Sequence, residues 1–188
     1  MRGDKIDITK SKKTGRLIKK TWLIEPIYDF LFYTLIVGIF PFVTGLYLSE
    51  EIKSKSNLTE PVILFTLSII WAIYLFRTVL GLDRLTKING EQKDLNREAV
   101  KLTAESLNWR LAQHNQQFSI LIPPWRLLST NWGREIVIIY DKQDILINCL
   151  TFGLHDLKSP FHRGGNLRMS KQLTEKFKEI LQQLKNDN

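Results

Sequence analysis

Two long apolar segments dominate the hydrophobic pattern of the chain, one over Ile27–Leu48 and the other over Pro61–Leu82. At about 1.5 Å of rise per helical residue, each can cross a hydrocarbon core of roughly 30 Å. The segment 49–60 between them is short and polar, with three Glu and two Lys. The pattern predicts a two-helix transmembrane hairpin over residues 27–82.

Beyond the second apolar segment the pattern is that of a small soluble domain, predicted over residues 91–188. Helical spacing of apolar residues predicts one amphipathic helix over Glu91–Asn115 and another that begins with Ser170 as its cap. Runs rich in β-branched residues between them predict strands at Phe118–Ile122, Arg134–Tyr140 and Ile145–Leu150, with Leu127–Thr130 as a further candidate. The order predicts an α+β fold, with an antiparallel sheet packed by two helices.

The first 26 residues are basic and polar. Eight of the 27 Lys and Arg residues lie in the first twenty positions. Residues 1–14 lack apolar periodicity and are expected to be mobile, whereas Arg16–Glu25 is expected to be a short helix in the lipid interface, with a flexible flank as the alternative. The net charge of +8 also permits nucleic acid, but its concentration beside the hairpin favours anionic lipid head groups, so no double-stranded nucleic acid partner is predicted.

The distribution of positive charge predicts the orientation of the hairpin. Lys and Arg crowd the flank before the first segment, and Arg84 and Lys87 follow the second. Both termini are therefore expected in the cytosol and loop 49–60 outside, in a bacterial cytoplasmic (inner) membrane. The basic region and the apolar segment are longer than those of a secretory signal peptide.

Polar and small residues within the hairpin suggest how it packs. Gly38, Pro41 and Gly45 predict a helix–helix contact, and a gate or ligand path is the alternative. Asp29 and Arg77 are expected at similar depth, where they either form an intramembrane ion pair or reach the interface separately. Two helices cannot enclose a pore, so any membrane activity requires a homo-oligomer or a membrane partner.

A basic, glycine-containing stretch near the C-terminal helix is the candidate ligand site. Arg163, Gly164, Gly165, Arg168 and Lys171 combine a glycine turn, a helix start and three cations. Such a combination suits a phosphorylated or nucleotide ligand. The alternative is a solvated basic turn, because the spacing matches neither a Walker loop nor a GxGxxG fingerprint.

Residue types for catalysis or metal binding are sparse. Cys149 is the only cysteine and no His or Cys pair has ligand spacing, so we predict no metal and no cofactor. A Cys149 nucleophile with His155 as base is conceivable, but a cysteine in an apolar strand is usually a small buried hydrophobe. The protein is therefore predicted not to be an enzyme.

The residues Asn131-Trp132-Gly133-Arg134-Glu135-Ile136-Val137-Ile138, with Asp144-Ile145-Leu146-Ile147-Asn148 after them, resemble a small bacterial α-β-β-β-α domain of unassigned function, found beside membrane segments. That domain has a Trp-Gly before one strand and an Ile-x-Asn near the end of the next. The resemblance covers about 70 residues and implies a fold, but no site.

The layout of two spans and a compact cytosolic domain is similar to that of small membrane effectors of bacterial antiviral defence. In those proteins the cytosolic domain binds a cyclic nucleotide second messenger and the spans perturb the membrane. The resemblance implies that the cytosolic domain couples ligand or protein binding to an oligomeric hairpin. The alternative is a scaffold or accessory subunit of a larger inner-membrane complex.

Overall fold

The computed structural model describes residues 6–20, 24–54, 57–124, 133–153 and 157–186. The chain forms two compact units. Unit 1 combines the chain up to Lys20 with the chain from Leu82 onward, and unit 2 is Thr21–Gly81. The apolar hairpin is thus an insertion into the sequence of unit 1, whereas the predicted domain boundaries lie at residues 26 and 91.

Unit 2 consists of two long helices, α2 (Ile24–Ser54) and α3 (Thr59–Gly81). α2 is longer than predicted, because it continues through half of the polar segment, as far as Ser54. α3 buries Pro61, Ser68, Leu75 and Thr78, which lie on one face at helical spacing. Most of the large apolar side chains of both helices are exposed, at 37–68% of their surface.

Both helices are long and apolar enough to cross a membrane. In the most apolar stretch of each helix, none of the residues of α2 and 17% of those of α3 are buried. The core helix of a soluble protein would be mostly buried, which these helices are not. The structure therefore contains two candidate membrane spans, compatible with membrane association.

Unit 1 is built on a five-stranded antiparallel sheet, which confirms the predicted α+β class. Its strands are β1 (Thr86–Asn89), β2 (Arg110–His114), β3 (Phe118–Ile122), β4 (Arg134–Asp141) and β5 (Asp144–Thr151), in the order β1-β5-β4-β3-β2. β4 and β5 form the predicted hairpin, in which Ile138 pairs with Ile147 and Asp141 with Asp144. The turn holds Lys142 at a left-handed φ of 55°.

The main core lies between one face of the sheet and two helices, α4 (Lys93–Ser106) and α5 (Arg163–Asn186). Alternate residues of β4 point to it, so that Ile136, Ile138 and Tyr140 join the core while Val137 and Ile139 lie on the opposite face. Trp109 is also a core residue, as expected for the aromatic packing of a small domain. Trp125, Trp132 and the candidate strand Leu127–Thr130 lie outside the described residues.

Residues 6–19 are folded into unit 1, so the expectation of a mobile tail followed by an interfacial helix is wrong for them. Helix α1 (Ile8–Thr14) is capped by the side chain of Asp7, ends at Gly15 in a left-handed conformation, and contacts β4. Ile6 and Leu17 are 3% and 2% exposed. These two apolar side chains pack as part of the domain, which explains why the segment is ordered without a repeating apolar pattern.

The predicted helix over Glu91–Asn115 ends early, because α4 stops at Ser106 and Arg110–His114 forms β2. Asn108 has a left-handed φ of 54°, and the amide of Trp109 donates to the carbonyl of Ala104 at 2.8 Å. This is the geometry of a helix C-terminus closed by an asparagine. A Pro160–His162 3₁₀ turn runs directly into α5, so the last helix begins seven residues before the predicted cap, Ser170.

Candidate functional site

The three cations of the predicted ligand site lie on the outer surface of α5. Arg163, Arg168 and Lys171 are exposed, and at about 100° per residue they span roughly 140° of the helix surface. Lys171 forms an ion pair with Glu175 at 3.8 Å. Leu167, which is 61% exposed, lies on the same face between Arg163 and Lys171. The structure thus brings the cations together on one face, where they surround an apolar side chain.

The glycine pair lies within α5, so the predicted glycine turn is wrong. Gly164 and Gly165 are the second and third residues of α5, which follows the 3₁₀ turn Pro160–His162 directly. An added Cβ at Gly165 would lie 2.5 Å from Nη2 of Arg134, whereas one at Gly164 would meet no atom within 4 Å. Gly165 is therefore needed for close packing against Arg134.

Alanine substitutions separate these two glycines. We expect Gly164→Ala to stabilise unit 1 by up to about 1 kcal/mol, because alanine is the better helix former. Gly165→Ala is expected to destabilise it by about 1–2 kcal/mol, because the buried Arg134 must move. Urea unfolding of the full chain in detergent measures both. Equal destabilisation by the two substitutions would contradict a helical Gly164 and favour a glycine turn.

A buried polar network lies beneath the start of α5. Arg134, 2% exposed, donates from Nε to Oγ1 of Thr151 at 3.2 Å, and Thr151 donates to Oδ1 of Asn166 at 2.7 Å. Nδ1 of His162 is 2.7 Å from Oγ of Ser159. Burial and then the charge of Arg134 lower the pKa of His162, so this imidazole is neutral at pH 7 and adds no positive charge.

Cys149 lies beside this network as a protonated thiol. Its Sγ donates to Oδ1 of Asn166 at 3.8 Å. Burial raises the pKa of Cys149 to about 12, against the opposing effect of Arg134. Because the thiolate is the nucleophilic form, this environment does not favour a reactive cysteine. His155, the suggested base, lies outside the described residues. Within the described part of the chain, no group of three or more His, Cys, Asp or Glu residues is arranged around a metal position.

The two chain segments that flank the hairpin are bonded to each other within unit 1. Leu17 donates its amide to the carbonyl of Asp83 at 2.7 Å, and Leu85 donates to Gly15 at 2.9 Å. The two bonds form an antiparallel bridge between Arg16 and Arg84. The chain therefore leaves unit 1 at Lys20 and returns at Leu82 through segments that are joined by backbone hydrogen bonds.

Side chains of the domain fix the returning segment. Asn148 of β5, 4% exposed, donates from Nδ2 to the carbonyls of Leu82 at 3.0 Å and Arg84 at 2.9 Å. The buried Lys158 forms an ion pair with Asp83. We call these contacts the flank junction, and its residues are Gly15, Leu17, Leu82, Asp83, Arg84, Leu85, Asn148 and Lys158. Lys19 extends it, with Nζ 5.1 Å from the ring centre of Phe152.

Sequence reasoning missed this junction, although two signals for it are in the chain. Asp7 and Gly15 are a helix cap and a helix stop on either side of Ile8–Thr14, which is a start-and-stop signature. Asn148 is a polar residue in an otherwise apolar strand, and such a residue needs a hydrogen-bond partner. Neither signal identifies its partner, because the partners lie more than 60 residues away.

A second missed feature is a hydrogen-bond chain across three strands. Nδ1 of His114 is 2.7 Å from Oγ of Ser119, which is 2.6 Å from the hydroxyl of Tyr140. Burial raises the pKa of Tyr140 to about 12, opposed by its hydrogen bond to Ser119. Burial also lowers the pKa of His114. The chain satisfies polar groups in the core and keeps all three side chains uncharged at pH 7.

The predicted packing residues of the hairpin differ in whether they lie at the contact between α2 and α3. A Cβ at Gly45 would lie 3.3 Å from the ring of Phe65 on α3, whereas one at Gly38 would meet nothing within 4 Å. Pro41 lies inside α2, and Oγ1 of Thr44, one turn later, is 2.8 Å from Oγ of Ser68. The α2–α3 contact therefore passes Gly45 and not Gly38.

Asp29 and Arg77 do not form an ion pair in the part of the chain that the structure describes; the ion pairs found there join other residues. Arg77 is exposed and Asp29 is partly exposed. Separate contact of each charge with a lipid interface stays a prediction.

Comparison with models of protein families, with curated proteins and with solved structures gives no match to this chain.

Proposed function

We propose that this is an integral membrane protein in which unit 1 is a cytosolic recognition domain that couples ligand or protein binding to the α2–α3 hairpin. The flank junction is the observation that carries the proposal. A domain that is only tethered to a membrane anchor can be attached through a flexible linker. Here both ends of the apolar insertion are built into the hydrogen-bonded structure of the domain.

The hydrogen bonds of the junction give the coupling a physical route. A ligand that binds one arrangement of the flanks more tightly than another shifts the equilibrium between the two arrangements. Because the flanks continue in sequence into α2 and out of α3, such a shift reaches the hairpin without a separate signalling element. The exposed apolar side chains of both helices support insertion in lipid and self-association there.

A topology experiment tests the membrane part of the proposal. In a Cys149→Ser background, we expect a membrane-impermeant maleimide to label Glu50→Cys in intact bacterial spheroplasts. Lys101→Cys is expected to react only after lysis, because it lies on α4 of unit 1. Both variants should stay with the membrane during alkaline extraction. Recovery of the chain in the alkaline supernatant, or labelling of Lys101→Cys in intact cells, would contradict the proposed arrangement.

A second candidate function is that of an accessory subunit in a larger membrane complex. It is favoured by the exposed Leu167 and Phe161 beside Arg163 and Arg168, since apolar and Arg side chains together are typical of protein contacts. Both functions predict the same topology. Stoichiometric copurification of one partner, lost on Leu167→Asp, would favour the subunit.

A further inference from the structure

A basic cavity lies in unit 1, apart from the surface of α5. Its volume is about 470 Å³, within the range of small-molecule sites. It is lined by Ile8, Thr9, Lys12, Lys13, Lys93 and Gln117. We propose that this cavity binds a phosphate-bearing ligand. The inference rests on the proposed function in one respect: the binding event would supply the input that the flank junction transmits.

The charges around the cavity favour an anion. Three of its six lining side chains are lysines. Lys12 forms an ion pair with Asp141 at 3.3 Å, whereas Lys13 and Lys93 have no ion pair with any described residue. Carboxylates adjacent to these lysines in the sequence or across the β4–β5 turn have partners of their own. Asp7 pairs with Lys10, Asp94 with Arg97, and Asp144 with Lys87. The lining therefore has excess positive charge, and lysine ammonium groups are common phosphate ligands.

The backbone of α1, which carries Lys12 and Lys13, is held in place before a ligand arrives. Asp7 caps the helix by accepting from the amide of Lys10 at 3.0 Å. Ser11, fully buried, donates to the carbonyl of Asp7 and accepts from the amide of Ile18. These bonds fix the backbone of α1, so the positions from which Lys12 and Lys13 extend are set before binding, and only their side chains must be ordered.

The lining also indicates the class of ligand. Thr9 and Gln117 add a hydroxyl and an amide, and Ile8 is the one apolar side chain. A ligand with two or more phosphate groups matches three ammonium groups better than an apolar molecule does. This chemistry occurs in soluble nucleotides and in phospholipid head groups, and the two sources need separate experimental arms.

Binding can be tested on the full chain in lipid nanodiscs. In zwitterionic nanodiscs, pyrophosphate and ATP are titrated by calorimetry, and amine-reactive footprinting reports Lys12, Lys13 and Lys93. We expect protection of these lysines and a Kd tighter than about 1 mM. For a head-group ligand, protection appears instead on changing to nanodiscs that contain cardiolipin, whose head group carries two phosphates, without added soluble phosphate. Absence of protection in every arm would overturn the inference.

Two charge-matched triple variants locate the site. Lys12→Gln, Lys13→Gln and Lys93→Gln together should weaken binding about 100-fold, since each charged contact contributes a factor of several. Arg163→Gln, Arg168→Gln and Lys171→Gln remove the same charge from α5 and should leave the affinity within about 3-fold. The reverse result would place the ligand on α5 and refute the cavity. If loss of the Lys12 pair with Asp141 unfolds the domain, Lys13→Gln with Lys93→Gln serves instead, with about a 20-fold loss expected.

These binding results do not depend on the topology experiment. Absence of binding with the predicted labelling pattern would refute the cavity and leave the membrane proposal standing. Binding at the three lysines in a protein that is extracted by alkali would refute the membrane proposal and leave the site.

Discussion

Gly133→Ala is expected to destabilise unit 1 by more than about 3 kcal/mol. Gly133 precedes β4 at a left-handed φ of 65°. An alanine Cβ there would lie directly against the carbonyl oxygen of Phe152, which is backbone and cannot rotate away. The clash also separates the amide of Phe152 from the carbonyl of Gly133, which it contacts at 2.8 Å. Conformational strain, steric overlap and a lost hydrogen bond act together.

Gly15→Ala is the matched control for this substitution. Gly15 has nearly the same φ, 64°, but an added Cβ there would meet no atom within 4 Å. We expect only the left-handed penalty, about 1 kcal/mol. Hydrogen exchange of β4 and β5 amides in detergent measures the free energy of opening for both variants. Equal losses at the two glycines would show that Phe152 gives way, and the packing argument would fail.

Asn148→Asp is expected to have an effect of similar size, above about 3 kcal/mol at neutral pH. The substitution keeps the shape of the side chain but replaces the Nδ2 donor with an acceptor. Two carbonyls, those of Leu82 and Arg84, then face a buried carboxylate. The amides of Leu17 and Leu85 donate hydrogen bonds between the two flanks. In this variant their hydrogen exchange should accelerate at least as much as that of the sheet amides.

The pH dependence of this variant has a definite sign. Burial disfavours the charged form, so the folded-state pKa of the introduced carboxyl lies above its unfolded value of about 3.9. The protonated acid can still donate one hydrogen bond. The loss of stability should therefore be smaller at pH 5 than at pH 7.5, growing as the pH rises toward the folded-state pKa.

Asn115→Asp makes the same chemical change at a site that tolerates it. Oδ1 of Asn115 is exposed and accepts from the amides of Gln117 and Phe118 at 2.8 and 3.0 Å. A carboxylate accepts equally well, so we expect a change within about 0.5 kcal/mol. If Asn148→Asp were as mild as this control, the flank junction would not be held by Asn148, and the route proposed for coupling would lose its main support.

Strands β3, β4 and β5 could be predicted because their residues alternate between two buried faces and contain many β-branched side chains. The ends of the helices were harder to predict from the sequence. Leu107, Trp109 and Ala112 continue the helical spacing of α4, but Asn108 adopts a left-handed conformation and ends the helix. A single asparagine is compatible with either outcome, and the pairing of β2 with β3 decides between them.

The candidate site on α5 could likewise be predicted only in part from the sequence. Arg163, Arg168 and Lys171 share a helix face because their spacing requires it once the helix extends that far. The glycine pair suggested a turn, since glycine is a poor helix former. The structure keeps it helical because Gly165 gives the space that the buried Arg134 needs, and nothing near residue 165 in the sequence reveals an arginine that is 31 positions away.

By itself, the sequence determined two long apolar helices, an antiparallel hairpin at β4–β5 and a final amphipathic helix, because each depends on a local repeat of apolar residues. Only the tertiary structure decided that residues 6–19 belong to the domain beyond the hairpin, that β1 completes the sheet, and that Lys12, Lys13 and Lys93 line one cavity. These features depend on hydrogen bonds and contacts between residues that are 55 or more positions apart, such as Asn89 and Asp144 or Leu17 and Asp83. Local periodicity has no information about such pairs.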